Sequence, residues 1–96
     1  MAWAYIQDND DISLADYDRV AAEIGSNPPK GLILHVAGAK GNGFRVIDVW
    51  ESEEAYNRFR NERLLPAIEK AIGREAIAEG PPPMEPLHVH NIIRGA

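Results

Sequence analysis

The sequence predicts an α+β domain in which two strand–helix–strand units share one four-stranded antiparallel sheet, with both helices on the same face. Three observations carry this expectation. Ser13 and Ser52 stand where helix N-caps belong, each ahead of an apolar stripe at helical spacing. Between the two helices, apolar runs flank an Asn-Gly pair, a strong short-range hairpin signal. Proline-rich stretches at Asn27-Pro28-Pro29 and Gly80-Pro81-Pro82-Pro83 follow the helical regions and prevent their continuation.

The elements follow in order. Met1 to Gln7 reads as a first strand, with Trp3, Tyr5 and Gln7 on one face and Ala2, Ala4 and Ile6 on the other. Ser13-Leu14-Ala15-Asp16 resembles a capping box and opens a helix whose stripe is Leu14, Tyr17, Ala21 and Ile24, closed by Gly25. Gly31 to Gly38 and Phe44 to Glu51 are the hairpin strands, with Asn42-Gly43 as the two-residue turn. The second helix runs from Glu53, its first turn carrying Glu53 and Glu54 near the positive end of the helix dipole. Pro66 should end or kink it near Leu64, with Leu65, Ile68 and Ile72 continuing the apolar stripe toward Gly73. Leu87 to Ile93 alternates and is expected to be the last strand. Right-handed crossovers then give the ferredoxin-like βαββαβ arrangement, with one sheet face left uncovered.

The faces follow from hairpin parity. An even loop places Ile33, His35 and Ala37 with Phe44, Val46, Asp48 and Trp50, and leaves Leu32, Leu34, Val36, Ile47 and Val49 on the other side. The second set is uniformly aliphatic and is expected to lie under the helices, joined by Ala4, Ile6, Val89 and Ile93 from the outer strands. Trp3, Tyr5, His88, His90 and Ile92 join the first set on the open face. An aromatic patch of that size exceeds what monomers usually expose. A second copy is therefore expected to cover it, so that a homodimer encloses a cavity lined by aromatics and imidazoles.

Composition narrows the function. Ninety-six residues make one domain, 1–96, and hydrophobic residues at 45% with charged residues at 26% fit a folded globular chain. A net charge of -5 opposes a phosphate backbone, so nucleic acid is not an expected partner, despite a faint echo of RNA-binding strands in Gly43-Phe44-Arg45-Val46. No run approaches the roughly 20 apolar residues of a membrane span, and the apolar start lacks a basic flank. With no cysteine, the chain has no thiolate chemistry, and a cytoplasmic setting is the simplest expectation.

The stretch Arg45-Val46-Ile47-Asp48-Val49-Trp50-Glu51-Ser52-Glu53-Glu54-Ala55-Tyr56 resembles the third strand and second-helix start of dimeric α/β-barrel proteins, particularly the antibiotic biosynthesis monooxygenase group. The resemblance implies two ferredoxin-like sheets forming a dimeric barrel, with cofactor-free oxidation of polycyclic phenols among the activities. Trp50 and Tyr56 match the Trp and Tyr of the quinone-forming oxygenases. The Asn of that pattern is replaced by Val46. The haem-degrading branch is rejected, because Arg60 stands where its helix His belongs and Gln7 where its first-strand Asn belongs.

The candidate catalytic residues are His35, Asp48, Trp50 and Tyr56, with Tyr5, Phe44, His88 and His90 as candidate substrate contacts. His35 with Asp48 reads as an oriented general base able to deprotonate a phenol-like ligand, or as a structural ion pair. Trp50, Tyr5 and Phe44 either stack on a planar ligand or form plain core. His88-x-His90 with His35 and Asp48 offers a set of zinc-type donors, but alternating histidines on a strand need no metal, and neither metal nor cofactor is expected. Asp8 to Asp11 reads as a polar turn, and Arg58 and Arg63 as a solvated face with Glu54 and Glu62. The function expected is a small homodimeric monooxygenase acting on a planar or hydrophobic molecule without a cofactor. The alternative is a non-catalytic binding or interaction module of the same shape.

Overall fold

The computed structural model describes residues 2–78 and 80–96; the expected strand start at Met1 lies outside them. The strands are β1 (Trp3–Asn9), β2 (Leu32–Lys40), β3 (Gly43–Trp50) and β4 (Met84–His88). The helices are α1 (Leu14–Ile24), α2 (Glu53–Phe59), α3 (Leu65–Ile72) and the short α4 (Glu75–Ala78). The sheet order is β2-β3-β1-β4, antiparallel at every pairing, which is the ferredoxin-like topology.

Local chemistry sets the element ends. Ser13 accepts the amide of Asp16 at 3.1 Å, and Ser52 accepts that of Ala55 at 3.1 Å, so both N-caps form through their side chains. The helix beginning at Glu53 does not stop at Pro66. Arg60–Leu64 widens into a π-helical turn that links α2 to α3. Proline brings no amide hydrogen and its ring crowds the carbonyl four residues back, and loosening the preceding turn relieves that clash without breaking the helix. Arg63 leaves the solvated face expected of it: its guanidinium donates to the carbonyls of Ile24 and Asn27, both at 3.0 Å, and so caps the end of α1.

The hairpin turn is Gly41-Asn42, closed by the pair Lys40↔Gly43, one position earlier than Asn42-Gly43. Gly41 takes φ +59°, which glycine adopts without steric cost. The loop still has two residues, so the expected face sets survive. A bulge between Leu32 and Leu34 brings Leu32 opposite Trp50 and moves it onto the face that bears His35. The last strand also begins earlier than Leu87, because Gln7 pairs with Met84 and Trp3 with His88. Pro86 sits within it and is tolerated because β4 is an edge strand.

Which face the helices cover is the reverse of the expectation. Trp3, Tyr5, Phe44, Val46 and Trp50 are buried and form the core with Tyr56 of α2, while Tyr17 of α1 and Phe59 pack against them. The aliphatic set is open instead: Leu34 is 54% exposed, Val36 45%, Ile47 39% and Leu87 62%. Ile93, expected under the helices, is 86% exposed. The reason lies in the helices, whose inward residues Tyr17, Tyr56 and Phe59 are aromatic. Trp50 meets Tyr56 and Phe59 at ring separations of 5.7 and 5.3 Å. Aromatic side chains bury about 150–250 Å² each, so matching the aromatic strand face to aromatic helix faces hides more apolar surface than the aliphatic face could. The carboxylate brought inside with them, that of Asp48, is paired with Tyr5, His35 and Trp50, as described below.

Gly43 is a fixed point of this packing. A Cβ built there would lie 1.8 Å from the carbonyl oxygen of Asn9, on the neighbouring strand. Gly43→Ala should therefore destabilise the fold by more than about 3 kcal/mol, measured by urea unfolding, whereas Gly38→Ala, with nothing within 4 Å of the added Cβ, should not.

Candidate active site

A cavity of about 280 Å³ lies between the sheet and the helices, within a single chain. Val20, Ile24, Leu64, Ile68 and Ile72 of the helical layer form its apolar wall. Gln7, Asn9, Tyr17, His35 and Asp48 bring polar groups to it, and Tyr5, Phe44, Val46 and Trp50 complete the sheet side.

Asp48 organises the polar end. It lies mid-strand in β3, and the residue is only 4% exposed. Its Oδ2 accepts the Tyr5 hydroxyl at 2.8 Å and the Trp50 indole N–H at 3.0 Å, while Oδ1 takes His35 Nδ1 at 2.5 Å. Backbone pairing makes this convergence possible, since His35 on β2 and Tyr5 on β1 are the two cross-strand partners of Asp48. Trp50 lies two residues further along the same strand and so shares its face.

Because Asp48 acts as acceptor to all three donors, His35 Nδ1 must carry a proton. In the neutral imidazole Nε2 is then the acceptor, and the Tyr17 hydroxyl donates to it at 2.6 Å. The two rings are parallel to within 1°, and the Tyr17 ring meets Phe44 edge-on at 5.2 Å. The result is a continuous chain of hydrogen bonds from α1 through β2 to β3.

The ionisation of these groups follows from their surroundings. The hydrogen bond to Asp48 raises the His35 pKa above its ordinary 6.5, against the opposing effect of partial burial. Burial, then the neighbouring Asp48 charge, pushes the Tyr5 hydroxyl far above the ordinary tyrosine range. Burial followed by Asp48 also raises Tyr17, and burial raises Tyr56. At the far end of the hairpin, hydrogen bonds from Arg45 and Lys40 hold the Asp8 carboxyl well below its usual range. That cluster is a surface tie among β1, β2 and β3.

The structure brings together Tyr5, His35, Phe44, Asp48 and Trp50 at the cavity. Tyr56 is buried behind them, its ring 4.9 Å from Tyr5 and 5.4 Å from Trp3, and it does not line the cavity. His88 and His90 are not part of the site. His88 is exposed on edge strand β4 and His90 is exposed beyond its end, because the strand ends at His88. Among the described residues, no three His, Asp or Glu side chains converge as metal ligands, and no helix is long and apolar enough to cross a membrane. The enclosing partner sheet expected from the sequence is replaced by the chain's own helices. Tyr17 is the residue the sequence reading missed. The sequence pattern places it on an apolar stripe, yet a tyrosine on such a stripe carries a hydroxyl that needs a partner, and that is the signal that points to it.

The geometry predicts how the pair titrates. A raised folded-state His35 pKa means that the ion pair stabilises the fold below pH 6.5 and that this contribution is lost as pH rises through the raised value. Asp48→Asn should lower the His35 titration midpoint seen by NMR. It should also remove the part of the urea stability that falls over that interval.

No family model and no curated protein matches the chain. Solved structures do. A Chloroflexus aurantiacus protein described as an antibiotic biosynthesis monooxygenase aligns with a TM-score of 0.61 at 19% identity, covering 99% of this chain and 100% of its own. SnoaB, a cofactor-independent oxygenase from Streptomyces nogalater, aligns with a TM-score of 0.59 at 14% identity over 98% and 97% of the two chains. The ActVA-Orf6 monooxygenase of Streptomyces coelicolor, solved with nanaomycin D, gives a TM-score of 0.52 at 20% identity, over 99% and 92%. At these identities the likeness speaks for architecture: the chain has the ferredoxin-like fold of antibiotic biosynthesis monooxygenase-type proteins along its whole length.

Proposed function

We propose that the protein is a cofactor-independent monooxygenase for a compact, planar phenolic molecule, with His35 as general base and Asp48 as the carboxylate that orients it. The observation that carries this reading is the His35–Asp48 hydrogen bond at the polar end of an otherwise apolar cavity. A base needs an orienting partner, and the buried carboxylate of Asp48 supplies it. The fold shared with oxygenases that work without a cofactor supports the class of reaction. A volume of 280 Å³ lies just below the range of about 300–1,000 Å³ usual for small-molecule pockets, which favours a small fused-ring ligand.

The chemistry balances with dioxygen as the sole co-substrate. The enol tautomer of an activated methylene gives its hydroxyl proton to the His35 base, and the resulting enolate combines at carbon with dioxygen to give a peroxide anion. The imidazolium returns the proton. Loss of the second methylene hydrogen then cleaves the O–O bond, leaving a ketone and one water. The imidazolium formed at each stage sits beside Asp48, so charge separation is compensated within the site. Trp50 differs from its expected part: its indole N–H is committed to Asp48, which makes it a positioning residue.

Val46 in place of the expected Asn removes one polar contact, and this favours a second reading, a binding module that holds such a molecule without oxidising it. Oxygen uptake separates the two. With dithranol, an anthrone with an acidic methylene, the enzyme should consume one dioxygen per ketone formed. His35→Gln should slow this at least about 100-fold while leaving the fold intact. Binding with no uptake supports the module, and undiminished uptake in His35→Gln removes the base assignment.

The working unit is a homodimer joined through the aliphatic sheet face. Leu34, Val36 and Ile47 stand exposed together there, an apolar patch that a second copy would bury. Val36→Glu should convert the protein to monomers in equilibrium sedimentation, and a wild-type monomer at micromolar concentration would refute the pairing.

A further inference from the structure

We propose that Tyr17 is the group through which the site takes its proton: the ligand's acidic hydroxyl bonds to the Tyr17 oxygen while the Tyr17 proton passes to His35 Nε2. This rests on the base assignment above and extends it to a residue and a ligand class.

The argument begins with occupancy. Neutral His35 has one acceptor lone pair, on Nε2, and Tyr17 fills it at 2.6 Å. Tyr17 and His35 both line the cavity, so a ligand there finds Nε2 already filled and the Tyr17 oxygen beside it still able to accept. That oxygen, having donated its hydrogen to His35, keeps lone pairs free to accept a hydrogen from the ligand. The parallel rings and the edge contact with Phe44 hold the hydroxyl in line.

The transfer balances. The ligand O–H bond breaks as a new Tyr17 O–H bond forms, and the old Tyr17 O–H bond breaks as His35 Nε2–H forms. Tyr17 ends neutral, the ligand becomes an anion, and His35 becomes an imidazolium held at Nδ1 by Asp48. Net charge is unchanged. The ligand class follows from the same groups: a neutral phenol or enol on a compact apolar frame. A carboxylate-bearing ligand would enter an apolar cavity against the charge of Asp48, at a desolvation cost nothing there offsets.

Para-nitrophenol tests this without turnover, because its phenolate is coloured and its phenol is not. Bound to the wild-type protein at a pH above the His35 midpoint seen by NMR, where the imidazole of the ligand-free protein is neutral, it should show more phenolate absorbance than the free probe at the same pH, with His35 doubly protonated in the complex alone by nitrogen NMR. Tyr17→Phe keeps the ring against Phe44 and His35. It should bind the probe several-fold more weakly at most, for the one hydrogen bond lost, yet the fraction of bound probe present as phenolate should fall about tenfold or more. Undiminished phenolate in Tyr17→Phe overturns the relay, and so does loss of binding, which would make the hydroxyl an anchor. His35→Gln separates the levels: undiminished phenolate there overturns the base assignment itself. Failure of the wild-type protein to bind nitrophenol overturns the ligand class.

Discussion

A carboxylate sunk into a layer of aromatic rings is the constraint on which the rest of the structure depends. Asp48 is 4% exposed, and a group so placed must find donors or destabilise the fold by several kcal/mol. It finds them on three strands. Tyr5, Trp50 and His35 all turn toward it, and their rings are thereby set in the orientations that the helices then cover. The bonds that satisfy the carboxylate also fix the imidazole tautomer and leave Nε2 facing Tyr17. Stability and chemistry are here consequences of one pairing requirement.

Much of the architecture could be read from the sequence because it depends on local signals. Ser13 and Ser52 cap their helices through contacts within three residues, and an even hairpin loop sorts β2 and β3 into the two face sets even though the turn is one residue earlier. Which set lies inward is a non-local question. It is settled by Tyr17, Tyr56 and Phe59, whose aromatic surfaces fit Trp50 and Phe44, and the strand faces taken alone do not contain that information. Strand β4 was displaced for a different reason: Pro86 argues against a strand unless its edge position is known, and edge position is a property of the finished sheet. The pairing of His35 with Asp48 was within reach because both lie on hairpin strands of known parity. Tyr17 was not, because its role appears only once α1 is laid across β2.

The inverted faces also relocate the cavity. An enclosure between two copies would need assembly before any ligand could be held, while one between sheet and helices exists in each chain. Its apolar wall comes from α1, α3 and the π-helical turn, and its polar end from the sheet. The groups that recognise shape and those that carry charge therefore belong to different layers, joined at the site by the hydrogen bond between Tyr17 and His35.

The bulge in β2 gives this division an evolutionary meaning. Its extra residue lies between Leu32, which faces Trp50, and Leu34, which faces away, so the register upstream of it is uncoupled from the register at His35. A one-residue insertion or deletion confined to the start of β2 would exchange which side chain borders the ligand while the imidazole keeps its partner. Descendants of this chain could thus reshape the rim of the chamber and acquire new specificities without rebuilding the proton-handling centre.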